Sequence, residues 1–211
     1  GVIHDVGTIG RMCRARGVLF HCDATAAIGK MPVRPHDLFC DFLSLSGHKF
    51  HAPKGVGALF VRQGVKAYPV IYGGEQEEGL RPGTENVAGI VGLGAAAHLA
   101  QKFLDAAGPD RIQKIRDAME SEIKRRLPDT EILAVAVSNR LCNTISVRVP
   151  GVRNDEMVLC LDREGICVST GAACSTGASL PSHVIRAMGY TDDEAREVVR
   201  VSLGDDNTES D

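Results

Sequence analysis

An α/β fold in two blocks is predicted by three features of this 211-residue chain. Short β-prone runs alternate with helical stretches, which is the pattern of strands packed against helices. Glycine-rich turns follow the runs, at Ser44-Leu-Ser-Gly-His-Lys-Phe-His-Ala-Pro-Lys-Gly-Val-Gly57 above all. The character of the sequence then changes near residue 104, where strands and glycine loops give way to a highly charged amphipathic segment that opens a second, smaller α/β arrangement. The expected organisation is therefore 1–104, part of a larger ligand-binding domain, and 105–211, a small carboxy-terminal α/β domain.

The elements follow in order. A polar helix runs to Arg16, and Val18-Leu-Phe-His-Cys-Asp23 reads as a short buried strand that ends in a carboxylate. Strands are expected at 41–46, where Asp41-Phe-Leu-Ser-Leu-Ser46 alternates, and at 57–62. A helix rich in small residues, suited to close packing, passes through Asn86-Val-Ala-Gly-Ile-Val-Gly-Leu-Gly-Ala-Ala-Ala97. In the second block, Asp110 to Arg126 repeats its apolar positions at helical spacing and gathers its charges on a solvated face. Strands at 131–137 and 144–149 and a helix from Asp155 to Arg163 come next, then helices at Pro181–Met188 and Asp192–Glu197. Pro181 is expected in a first helical turn, where a missing N–H costs nothing.

Composition limits the functions available. With 44% hydrophobic and 24% charged residues the chain can bury a core of one or two domains, as a soluble intracellular and cytoplasmic protein does. Twenty-four basic against 27 acidic residues give a net charge of −3, which favours neither nucleic acid nor an anionic membrane as partner. The seven cysteines are odd in number and irregularly spaced, with no CxxC pair, so neither a disulfide framework nor a metal site is expected. Six of them, Cys13, Cys22, Cys40, Cys142, Cys160 and Cys167, sit within or beside predicted helices and strands and read as small buried hydrophobes. Cys174 differs, lying in Gly171-Ala-Ala-Cys-Ser-Thr-Gly-Ala-Ser179, a run of small residues without periodicity that reads as an exposed loop. A thiol in such a place can ionise and act as a nucleophile.

Lys49 is the second residue with chemistry of its own. It stands on a tight turn after an apolar strand, among hydroxyl, imidazole and glycine groups, and a partly desolvated lysine readily becomes a nucleophile toward an aldehyde. The same stretch also reads as an ordinary strand–turn–strand with a solvated lysine. Asp23 tips the reading toward pyridoxal phosphate, because a carboxylate at a strand end can keep the pyridine nitrogen of that cofactor protonated.

Four segments, His21-Cys-Asp-Ala-Thr-Ala-Ala-Ile-Gly-Lys30, Ser46-Gly-His-Lys49, Arg81-Pro-Gly-Thr-Glu-Asn86 and Ser169-Thr-Gly-Ala-Ala-Cys-Ser175, share the order and rough spacing of the NifS/IscS-type cysteine desulfurases. The sequence resembles the carboxy-terminal portion of that family of class V aminotransferases nearly end to end. The resemblance implies fold type I, pyridoxal phosphate as cofactor and L-cysteine as substrate, with sulfur passing to an active-site persulfide for iron–sulfur cluster or thio-cofactor assembly. It makes Lys49 the covalent anchor, Asp23 the partner of the pyridine nitrogen, and Ser46 and His48 contacts of the cofactor phosphate. Thr84 is similar to the family threonine that reaches the phosphate held by the other subunit of a homodimer. Arg200, which alone reads as a surface arginine at a strand edge, resembles the clamp on the substrate carboxylate, and Cys174 the residue that carries the persulfide. A sulfur-acceptor or iron–sulfur scaffold protein is the implied macromolecular partner.

The sequence departs from the family pattern in three places. The resemblance implies a preceding amino-terminal segment of roughly 150 residues, about one domain's length, that carries a phosphate loop, a ring-stacking histidine and an asparagine. This chain therefore reads as a fragment, a split product or a truncated piece. Ala26 stands where the family has a glutamine, and Asp205 where its Gly-Arg-x-Thr-Thr-Glu pattern has arginine. Selenocysteine lyase and cystine C–S lyase share the implied fold, and a catalytically incomplete interaction module is the remaining alternative.

Overall fold

The computed structural model describes residues 1–171 and 181–211. The chain divides into two compact units, one of His4–Ala107 and one of Gly1–Ile3 with Gly108–Asp211, so the division falls at 107/108 and the first three residues belong with the carboxy-terminal unit.

The first unit is built on a three-stranded sheet in the order β1 (His21–Asp23), β2 (Phe42–Ser46), β3 (Gly57–Val61). β1 and β2 are parallel, with Asp23 beside Ser44, and β3 runs antiparallel, with Gly57 opposite Ser46. Helix α1 (Val6–Ala15) starts at Asp5, whose carboxylate accepts the Thr8 N–H at 3.0 Å. It packs closely through Gly10, where a Cβ would come within 2.1 Å of the Leu38 carbonyl. Strand pleating sends Cys22, Leu43 and Leu45 into two buried clusters, one with Ala24 and Cys40 and the other with Phe50, Ala52 and Ala96. Helix α2 (Val87–Asp105) begins at Asn86, which accepts the Gly89 N–H at 3.0 Å, and lays Leu93, Ala96 and Ala100 on the second cluster. By length and composition α2 is apolar enough to cross a membrane, an apolar character that comes mostly from its Val, Ile, Leu and Phe side chains.

The second unit is an antiparallel sheet in the order β4 (Glu131–Ile132), β5 (Thr144–Arg148), β6 (Val198–Ser202). Ile132, Ile145, Val147 and Val199 form the core of one face, against Met119 and Ile123 of α3 (Gly108–Arg126) and Met157 and Val158 of α4 (Asn154–Arg163). Leu133 and Val198 face another cluster, with Ile185 of α5 (His183–Ala187) and Ala195 of α6 (Asp192–Ala195). A capping box between Thr191 and Glu194 starts α6.

The expected elements are corrected in four places. The strand expected at 18–22 is displaced to 21–23 and is not buried on both faces, since Val18 and Leu19 are exposed and the Val18 N–H closes α1 on the Cys13 carbonyl. The strand expected at 131–137 stops after Ile132, because the chain turns at Ala134 with φ +58°. Pro181 precedes Ser182, the cap of α5, and so lies outside that helix. Finally, Cys160 and Cys167 are exposed, not buried. The apolar run of α4 extends round more than one face, leaving Leu159 as well as Cys160 in solvent.

Candidate cofactor-binding site

Alternation along β1 and β2 separates packing from chemistry. Opposite the buried face, His21, Asp23, Ser44 and Ser46 share the other side of the sheet, where His21 Nε2 and Ser44 Oγ lie 3.1 Å apart in a hydrogen bond. Because β1 and β2 are parallel, Asp23 and Ser46 both lie at carboxyl ends on the same edge, the place where open α/β sheets bind ligands. β2 then passes directly into a 3₁₀ turn, Gly47–Phe50, that carries His48 and Lys49. Asp23, Ser46, His48 and Lys49 are thus brought together at one edge of one sheet.

Asp23, Ser46 and His48 are held by hydrogen bonds, while Lys49 is exposed on the turn that carries it. The Asp23 carboxylate accepts the Thr25 N–H at 2.9 Å, and Thr25, through its hydroxyl and then its N–H, holds the Asp23 carboxyl below its ordinary range. It therefore stays an anion able to accept a proton-bearing ring nitrogen. Ser46 Oγ and His48 Nδ1 share a 2.9 Å hydrogen bond whose direction follows the imidazole tautomer. The turn depends on glycine at two points. A Cβ at Gly47 would meet Ala52 Cβ and Leu93 Cδ1 at 2.9 Å each, and one at Gly57 would meet the Leu45 carbonyl oxygen at 2.5 Å. The Gly47 N–H donates to the Val56 carbonyl at 2.9 Å, which ties the start of the turn to the residue before β3.

Thr84 belongs to the same unit, in the long connection between β3 and α2. There it lines a cavity of about 770 Å³ together with Gly57, Leu59, Ile71 and Ile90. Arg200 lies in the second unit, at the centre of β6. It is half-buried and flanked on both sides, by Ser146 of β5 and by Ser169, with which it exchanges backbone N–H···O bonds of 2.7 and 3.0 Å. The reading of Arg200 as an arginine on an open strand edge is therefore corrected. Cys174 lies outside the described residues.

The other cysteines divide by environment. Burial raises the Cys22 thiol, and burial together with neighbouring Cys22 pushes Cys40 up to about 11, so both stay protonated at neutral pH. Among the described residues, no group of three or more His, Cys, Asp or Glu side chains could hold a metal ion.

Sequence reasoning did not single out Lys30. Its ammonium donates to the backbone carbonyl of Lys49 at 3.0 Å and to that of Ile28 at 3.5 Å. Its only sequence signal is proximity to Asp23.

A ring-nitrogen acceptor, a hydroxyl–imidazole pair suited to a phosphate and a primary amine on an adjacent turn form a donor set that fits pyridoxal phosphate. Comparisons with known proteins identify the relatives of this chain. The family model described as aminotransferase class-V matches residues 1–211. The chain is 42% identical over 211 residues to a cysteine desulfurase of Gluconacetobacter diazotrophicus, covering all of this chain and 52% of that protein. It is 39% identical over 212 residues to the cysteine desulfurase IscS of Clostridium botulinum, covering 100% of this chain and 53% of that one. The X-ray structure of a NifS-like protein from Rickettsia africae superposes with a TM-score of 0.89 at 31% identity, over 100% of this chain and 55% of that chain. A second solved NifS-like protein gives 0.88 at 37% identity, over 100% and 54%. The chain spans about half the length of the curated relatives it matches.

Proposed function

Since the chain belongs to the aminotransferase class-V family, we propose that it supplies the anchor-lysine part of a cytoplasmic, homodimeric, pyridoxal phosphate-dependent cysteine desulfurase. This enzyme converts L-cysteine to L-alanine and passes the sulfur, as a persulfide, to an acceptor or iron–sulfur scaffold protein. The observation that carries the reading is the convergence of Asp23, Ser46, His48 and Lys49 on the carboxyl edge of two adjacent parallel strands. The names of the relatives direct the chemistry toward cysteine.

Bound pyridoxal phosphate supplies an electron sink for negative charge developing at the substrate Cα. In this chain Lys49 Nζ is the covalent anchor and the group that carries the Cα proton away. Asp23 stays ionised against the ring nitrogen, while Ser46 Oγ and the His48 imidazole hold phosphate oxygens. Thr84 reaches the phosphate bound by a second copy of the chain. The planar Arg200 guanidinium takes the substrate carboxylate through two parallel hydrogen bonds. Cys174 Sγ, as thiolate, attacks the substrate sulfur, so that the S–S bond forms as the Cβ–S bond breaks. Its balance is cysteine plus the Cys174 thiol giving alanine plus the Cys174 persulfide.

The test is incubation of the chain with pyridoxal phosphate, borohydride reduction and peptide mapping. A pyridoxyl adduct confined to Lys49 is the expected result. Label spread evenly over surface lysines such as Lys54 and Lys66, or none at all, overturns the reading.

A further inference from the structure

The segment that follows Asp23 does more than connect two strands. Residues 24–31 form consecutive turns, with the Ala24 carbonyl accepting from Ala27 and Ile28 and the Ala27 carbonyl from Lys30 and Met31. Ile28 packs on both buried clusters of the unit, the one beneath β1 and β2 and the one around Phe50. Gly29 has φ +77°, and a Cβ there would sit 3.1 Å from Phe50 Cβ, so the segment lies directly against the turn that carries Lys49. At its end, the Lys30 ammonium reaches the Lys49 carbonyl at 3.0 Å, across nineteen positions of sequence. The last carbonyls of so short a turn have no donor within it, and a charged donor is a strong substitute.

We propose that Lys30 is a positioning residue for Lys49. Its ammonium fixes the backbone from which the anchor lysine departs and, through the rigid 24–31 segment, keeps that backbone in register with Asp23. The inference rests on the assignment of Lys49 and Asp23 to pyridoxal phosphate. What it adds is a lysine that acts on the anchor through the Lys49 main chain.

Two substitutions separate the ammonium from the stem. Lys30→Met keeps the aliphatic length and removes the donor, whereas Lys30→Arg keeps a charged donor. Hydrogen exchange across 47–52 reads the turn directly, and the Ala52 amide, which donates to the Gly47 carbonyl at 3.1 Å, is its reporter. Loss of one charged hydrogen bond is expected to speed exchange there by about tenfold in Lys30→Met. Borohydride trapping on Lys49 at limiting pyridoxal phosphate should fall by a similar factor, and Lys30→Arg should restore both. Unchanged exchange in Lys30→Met overturns the proposal, as does faster exchange spread evenly over α1 and β3, since either removes the specific link to the turn. If the parent chain traps nothing at Lys49, the assignment to pyridoxal phosphate fails, while the exchange measurement still decides whether Lys30 orders the turn.

Discussion

Replacing Asp41 by alanine should destabilise the first unit more than any other single exchange on its sheet. Asp41 is buried at the start of β2, and its carboxylate joins all three strands. Oδ2 accepts the Phe20 N–H at 2.8 Å, just ahead of β1, and Oδ1 accepts from Arg62 Nε and Nη2 at 2.7 Å each, just past β3. The Phe20 N–H left without a partner costs about 1–3 kcal/mol, and the lost charge-assisted bonds cost about 1.5–3 kcal/mol. Two effects offset part of this. The Arg62 side chain is 39% exposed and can rehydrate, and the desolvation of Asp41 itself is removed. A net loss of about 3 kcal/mol follows, which at a urea slope of about 2 kcal/mol/M lowers the midpoint by about 1.5 M. Burial pushes the Asp41 carboxyl up, but the Phe20 N–H and Arg62 outweigh it and leave the group below its ordinary 3.8. A carboxyl lowered in the folded state stabilises fully above its unfolded value and loses that contribution as pH falls through the folded one. The gap between parent and Asp41→Asn should therefore be flat from pH 7 to 5 and close only below about pH 4. Urea melts followed by circular dichroism at several pH values measure both effects. A midpoint shift under about 0.5 M for Asp41→Ala, with unchanged slope, refutes the reasoning.

Gly57→Ala should cost about 2 kcal/mol, seen as a fall in Tm of about 4–8 °C, because the atom its Cβ meets is the Leu45 backbone carbonyl, which cannot rotate away. Gly94→Ala, in α2 with nothing within 4 Å of the new Cβ, should instead raise Tm slightly and serves as its control. In the second unit, Glu120 and Arg140 form a salt bridge through two hydrogen bonds of 2.8 and 3.0 Å, with both side chains only 9% exposed. Glu120→Ala should cost about 3–5 kcal/mol by calorimetry, and the double exchange Glu120→Leu/Arg140→Met should recover much of it, since breaking a buried pair costs more than replacing it.

The placement of the candidate site was legible where it is set locally. The strand-end carboxylate at Asp23 and the glycine turn at 47–49 are each set by a few consecutive residues, and alternation along 41–46 already separates the serines from the leucines. What could not be read depends on contacts between distant positions. Lys30 looks like any surface lysine until the fold brings Lys49 within reach, and Asp41 looks like a strand-start residue until Phe20 and Arg62 converge on it. The run Ile132-Leu-Ala-Val-Ala-Val137 has strand composition, yet Leu133 is drawn into a cluster with Ile185 and Val198 and the chain turns at Ala134. In α4 a continuous apolar run gave no single face, so periodicity could not tell buried positions from the exposed Cys160.

The turn at Gly47–Phe50 explains how one short segment can be both core and site. In a 3₁₀ turn residues i and i+3 lie one above the other, so Gly47 and Phe50 must share a side while His48 and Lys49 occupy the others. Gly47 and Phe50 are both buried, and His48 and Lys49 are both exposed. Phe50 is only 4% exposed and packs with Ala52 and Ala96, which makes it the side chain that sets the phase of the turn. A slip of one residue would drive the Lys49 ammonium into the space of Phe50, at the cost of burying an unpaired charge, and would expose the phenyl ring. Leu93 and Ala52, in contact range of the position a Gly47 Cβ would take, close the other end against such a slip. Lys49 is thus presented by the burial of its neighbour, and substitutions at Phe50 should alter the chemistry of the site without touching any residue that performs it.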